Sequence, residues 1–143
     1  MPNGRRYPPS WRGRYPHMRE VDMPVWNRFL DRYGAGWEAF EYDVRVGPAG
    51  GAARGEDLQT QAVFEALTKL RIDAVGYRPG EIWVLEVSPF AGISKVGQAL
   101  GYRDLFIAER RPAEPVRAGV VTGVFSPAVG EVFRSQGIEV WIV

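Results

Sequence analysis

Cysteine is absent from the chain, histidine occurs once, and lysine occurs twice, at Lys69 and Lys95. Without cysteine there are no disulfides and no thiolate metal sites, which fits a reducing compartment. One imidazole removes most zinc chemistry and any histidine-based triad. The metal chemistry that remains uses hard oxygen ligands, which suits Mg²⁺ or Mn²⁺. No apolar run approaches the ~20 residues a membrane span requires, and no signal-peptide pattern opens the chain. The expectation is therefore a protein without a membrane partner and not secreted through a signal peptide. Acidic residues are missing before Glu20, whereas Arg5, Arg6, Arg12, Arg14 and Arg19 all fall there. The net charge of +1 thus conceals five positive charges at the N-terminal end and a net −4 in the remainder.

What is present suits one soluble domain. A chain of 143 residues with 45% hydrophobic and 24% charged residues can bury a single core. Its organising stretch is Leu70 to Ser88, LRIDAVGYRPGEIWVLEVS. Two runs rich in valine, isoleucine and tryptophan flank Arg78-Pro79-Gly80, the pattern of a β-hairpin. Side chains alternate along a strand, so Glu86 and Ser88 share a face, and pairing about the turn brings Asp73 opposite them. Two carboxylates meeting beside a sheet are costly unless positive charge lies between them, and a divalent metal is the usual solution.

An acidic residue on one strand and Glu-x-Lys on the next resembles the PD-(D/E)XK superfamily, the restriction-endonuclease-like nucleases. Here the second half reads Glu86-Val87-Ser88, with serine at the lysine position. Farther on, Gln98-Ala99-Leu100-Gly101-Tyr102 matches the Gln-x-x-x-Tyr signature of the RecB-like branch. The resemblance covers about Trp37 to Val143 and implies an α/β fold with a restriction-endonuclease-like mixed-sheet core. It also implies that Asp73, Glu86 and the Val87 carbonyl hold Mg²⁺ or Mn²⁺, while Gln98 and Tyr102 position the backbone of a single or frayed strand. The superfamily's lysine can migrate, because the chemistry needs an ammonium near the metal rather than a fixed address. Lys95 shares a helical face with Gln98 and Tyr102, at i, i+3 and i+7, and is the stronger candidate. Lys69 lies on Asp73's face but about 13 Å back along a strand.

The remaining segments supply the scaffold. Residues 1–21 lack any helical or strand period and are dense in proline, arginine and aromatics, as in an extended arm beside a domain of residues 22–143. As a docking arm it would place Tyr7, Trp11 and Tyr15 in pockets while Arg5, Arg6, Arg12 and Arg14 engage nucleic acid or a protein partner. Asp22 and Pro24 open a helix through Tyr33, with Asp22 as its N-cap. Trp37 to Val46 alternates as a half-exposed strand, with Phe40, Tyr42, Val44 and Val46 on one side. Glu38, Glu41 and Asp43 are each candidates for a further acidic residue at the site. Residues 47–57 read as a loop, and a strand is expected from Phe64 through Tyr77. A helix over 93–108, a buried strand over 117–125, a helix over 127–135 and a parallel strand over 138–143 complete the order α-β-β-β-α-β-α-β.

Two functional readings stand side by side. One is a metal-dependent DNA nuclease of the RecB-like type. The sequence is also similar to small nuclease-fold proteins of tailed bacteriophages. The other reading is accordingly a catalytically inactive fold serving as a structural or adaptor component, docked through its arm. The location would be the host cytoplasm or the virion.

Overall fold

Pro79 and Gly80 fix the central hairpin. Proline presets the first central residue of the turn, and Gly80 takes φ 76°, a conformation that favours glycine. Arg78 and Glu81 then face one another as the first cross-strand pair. The computed structural model describes residues 4–47 and 70–143. The expected loop over 47–57, the residues of the expected strand before Leu70, and Lys69 lie wholly or almost wholly outside the described residues.

The described elements are α1 (Met23–Tyr33), β1 (Ala39–Val46), β2 (Leu70–Arg78), β3 (Glu81–Ala91), α2 (Ser94–Arg110), β4 (Val116–Phe125), α3 (Pro127–Ser135) and β5 (Glu139–Ile142). They follow the order read from the sequence. The strands form one sheet in the order β1-β2-β3-β4-β5. The first three are antiparallel, and β4 and β5 add in parallel. Each parallel step has a helix as its crossover, as parallel neighbours require. The protein is a mixed-sheet α/β sandwich.

Strand β3 shows how the layers assemble. Trp83, Leu85 and Val87 face α1 and pack with Trp26, Phe29 and Leu30. Ile82 and Val84 face the other way, toward Phe106 of α2. Ala118 and Val120 of β4 meet Ala99 of α2 and Phe133 of α3. Trp26, Phe29, Phe106 and Phe133 are all at most 1% exposed, each contributing about 2–3 kcal/mol from burial. No helix among the described residues is long and apolar enough to cross a membrane.

Two local expectations are corrected. Phe40 and Tyr42 pack on the α1 side, but Val44 and Val46 join the cluster around Phe106. The alternation breaks at Asp43, which adopts φ 53°. Strand β1 is also less exposed than its alternation suggests, because Glu41 is 1% exposed and held by Arg110.

The N-terminal segment lies on its own domain. Tyr7 forms an antiparallel bridge with Phe40, each amide donating to the other's carbonyl at 2.8 and 2.9 Å. Tyr7, Trp11 and Tyr15 then pack in tilted and edge-on contacts around Tyr42, with ring centroids 4.5–6.3 Å apart. Tyr15 is 1% exposed and its hydroxyl donates to Asn27 Oδ1 at 2.5 Å. The pockets these aromatics fill are this domain's own. Arg12 pairs with Asp31 at 2.8 Å, and Arg6 lies over the Tyr77 ring.

Candidate active site

The hairpin strands part where the two carboxylates meet. Backbone pairing of β2 with β3 ends at Ala74 and Leu85, and the same register puts Asp73 opposite Glu86. Beyond that point side chains replace the ladder. The Val87 amide donates to Asp73 Oδ2 at 2.9 Å, and the Asp73 amide donates to Glu86 Oε2 at 3.3 Å. On the other flank, the pairing of β1 with β2 skips Asp43 and Asp73. Asp43 turns instead to Arg71 at 3.0 Å and His17 at 3.5 Å. The sheet therefore opens around Asp73.

Glu86 is 3% exposed, and burial raises its pKa well above the ordinary value, with the Asp73 charge adding to the effect. Burial raises Asp73 as well, opposed by the Val87 amide and the Lys95 ammonium. Like charges this close and this buried resist ionising together. A third carboxylate acts on both: Asp22, at the entry to α1. Asp22 is 4% exposed, and its own pKa is raised, chiefly by burial. The sequence suggests an N-cap at this position. The side chain makes no capping hydrogen bond, and its Oδ1 is buried with no partner.

Helix α2 brings the positive charge. Lys95 Nζ lies 3.9 Å from Glu86 Oε1, and its side chain is 18% exposed. One turn on, Gln98 Oε1 is buried and unpartnered. After another turn, Tyr102 has its pKa raised by burial and by the Glu86 and Asp73 charges. The i, i+3, i+7 spacing thus places Lys95 and Tyr102 beside the carboxylate pair, with Gln98 between them on the helix. Arg19, from the segment before α1, adds a second cation that opposes the upward shifts of Asp22 and Asp73. Asp22 and Arg19 were not legible as site residues. The one available signal for Asp22, an acidic residue at a helix start, is shared with every ordinary cap.

Among the described residues no three acidic or histidine side chains come together as a ready metal-ligand set. The donor chemistry nevertheless fits a hard divalent cation. Two buried carboxylates converge with pKa values raised chiefly by burial, and the side-chain oxygens Asp22 Oδ1 and Gln98 Oε1 have no hydrogen-bond partner.

The other candidate residues lie elsewhere. Ser88, at the lysine position, donates its hydroxyl to the Phe90 carbonyl at 2.5 Å. Glu41 is bound by Arg110 and the Tyr77 hydroxyl at the far end of α2, so it is not part of this site. Glu38 is exposed beside a cavity near the hairpin turn, and Asp43 is committed to Arg71. Arg5, Arg6 and Arg14 are exposed, while Trp11 is half-buried in the aromatic cluster.

No protein-family model matches the chain, and no curated protein matches it in sequence. Among solved structures, the crystal structure of a repair endonuclease from Pyrococcus abyssi is similar, with a TM-score of 0.53 at 19% identity. The fold is restriction-endonuclease-like. The match covers 89% of this chain and 47% of the endonuclease, so the chain spans about half that protein's length.

Proposed function

We propose that the chain is a divalent-metal-dependent nuclease of the RecB-like type, hydrolysing phosphodiester bonds with a lysine relocated from strand to helix. The observation that carries this reading is the approach of Lys95 Nζ to Glu86 Oε1, 3.9 Å, beside Asp73. Asp73 and Glu86, with the Val87 carbonyl and Asp22 supplying further oxygens, would hold Mg²⁺ or Mn²⁺. Such an ion polarises a phosphate oxygen and lowers the pKa of water. The Lys95 ammonium would balance negative charge developing on the phosphate and orient the attacking water. Gln98, whose buried Oε1 has no partner, and Tyr102, which feels the Glu86 and Asp73 charges, would position the backbone of the bound strand. Arg19 adds charge attractive to a phosphate backbone.

A second reading is an inactive nuclease fold serving as a structural or adaptor part of a tailed-phage particle. Its support is Ser88, whose hydroxyl is turned onto its own strand, and the absence of a preformed three-ligand set among the described residues. The packing of Tyr7, Trp11 and Tyr15 onto their own domain weighs against the arm as its docking element. Cleavage of single- and double-stranded DNA with Mg²⁺ or Mn²⁺ separates the two. Wild-type cleavage abolished by Glu86→Ala and by Lys95→Ala establishes the nuclease. An inert wild type that gains activity in Ser88→Lys establishes the inactive scaffold.

A further inference from the structure

The two edges of the sheet differ. The outer side of β1 is bridged by the chain's own Tyr7, which exchanges two amide hydrogen bonds with Phe40. Among the described residues no segment pairs with the outer side of β5. Val120 pairs with Val140 and Thr122 with Ile142, and the Val143 amide donates to the Thr122 carbonyl at 2.9 Å. In a parallel pair of this register Glu139 and Trp141 direct their amides and carbonyls at β4, as Val143 does its amide. Those of Val140 and Ile142 therefore point outward. The Trp141 ring leans inward over Gly119 of β4, where a Cβ would meet it at 2.6 Å, and leaves this edge uncovered. Ile142 is 53% exposed.

Open strand edges are ordinarily blunted by lysine, proline or a bulge. Between Glu139 and Val143 the only charged side chain is Glu139, and there is no proline. Such an edge accepts another strand, and the spacing of its free groups selects which. Val140 and Ile142 are two residues apart. A second β5 running antiparallel therefore sets the partner's Ile142 opposite Val140 and the partner's Val140 opposite Ile142. Each of these pairs exchanges two amide-to-carbonyl hydrogen bonds about a two-fold axis through Trp141. The same register covers exposed Ile142 with the partner's Val140. It puts Glu139 opposite the partner's Val143, so no like charges meet. We propose that the chain forms a symmetric dimer by antiparallel pairing of β5 with β5, joining two five-stranded sheets into one. The contact is smaller than the roughly 1,200 Å² of standard interfaces, so the dimer is concentration-dependent. It does not depend on the nuclease reading.

Sedimentation velocity of the full chain across a wide concentration range should show wild type passing from monomer to dimer. Ile142→Lys places a charge opposite the partner's Val140 and should weaken association by roughly tenfold or more. Ile142 is largely exposed, so its replacement leaves the core intact, and thermal melts verify that. Cross-linking reads the register, since the chain has no cysteine of its own. An oxidised mixture of Val140→Cys and Ile142→Cys should give a disulfide-linked dimer, because Cα atoms of such a pair lie about 5.5 Å apart. Each variant alone should link far less, because like positions are offset by two residues, ~7 Å, along the strands. Wild type that stays monomeric throughout overturns the proposal, as does a dimer indifferent to Ile142→Lys. Single variants that link as well as the mixture put the contact elsewhere and overturn it too. Each of these failures leaves the nuclease reading standing, since Asp73, Glu86 and Lys95 come from one chain.

Discussion

Lys95 reaches Glu86 across the gap between a helix and a strand, Nζ to Oε1 3.9 Å, while Ser88 turns its hydroxyl away onto the Phe90 carbonyl. The ammonium expected two residues after the glutamate thus comes from the next element. If that charge matters and its address does not, Lys95→Ala should lower cleavage by about 10²–10⁴-fold. The double variant Lys95→Ala/Ser88→Lys should recover part of the loss. Single-turnover rates at saturating metal check this. A double variant no better than Lys95→Ala would mean that position 88 has no path to the reacting phosphate.

Burial, reinforced for Glu86 by the Asp73 charge, raises the pKa of both carboxylates. Such groups bind protons more tightly in the folded state. Their favourable contribution is fully present below the unfolded carboxylate pKa of about 4 and is lost as pH rises through the raised folded values. Metal-free protein should therefore lose stability between mildly acidic and neutral pH. Glu86→Gln should flatten that decline, and Mn²⁺ should raise the melting temperature of the wild type more at pH 8 than at pH 5. Melting curves against pH, with and without Mn²⁺, give the answer. A pH-independent metal shift would contradict it.

The site was legible where one local pattern sufficed. Alternation plus Pro79-Gly80 located the hairpin, and helical spacing grouped Lys95, Gln98 and Tyr102. Partners distant in sequence were not legible. Glu41 alternates with apolar neighbours as any exposed acid on a half-buried strand does, and only the approach of Arg110, 69 positions away, buries it. The aromatic segment before α1 has no period, because it follows the surface of Tyr42 and the edge of β1. At Asp43 the side chains change face through a positive φ that a strand pattern does not encode.

The Glu41 cluster gives a stability prediction independent of catalysis. Two Arg110 nitrogens contact Glu41 at 2.8 and 3.1 Å, and the Tyr77 hydroxyl donates to the same carboxylate. Arg110→Ala would leave that carboxylate buried without its counter-charge and should cost about 3–5 kcal/mol in urea unfolding. Arg110 lies fifteen residues along α2 from Lys95, about 22 Å, so Mn²⁺ binding should be unchanged. A loss below ~1 kcal/mol would show that water replaces the guanidinium.

Tyr15 makes the same kind of test for the N-terminal segment. Tyr15→Ala removes a ring that is 1% exposed and strands Asn27, so about 3 kcal/mol should be lost. Arg14→Ala, on the exposed side, should stay within about 0.5 kcal/mol. Comparable, small effects from both would mean that the segment is detached in solution.

Asp22 distinguishes a helix cap from a ligand. Replacing a working N-cap by alanine costs about 1 kcal/mol. Asp22 makes no capping bond, and its charge lies buried near two other carboxylates with Oδ1 unpartnered. Asp22→Ala should therefore leave metal-free stability at neutral pH unchanged or raised, since it removes a buried negative charge. The same variant should weaken Mn²⁺ binding in calorimetry by roughly tenfold or more, as expected for losing an oxygen donor rather than a cap. The two measurements move in opposite directions only if the carboxylate serves the site. A destabilised Asp22→Ala with undiminished Mn²⁺ affinity would return Asp22 to the helix, leaving Asp73 and Glu86 to hold the cation without it.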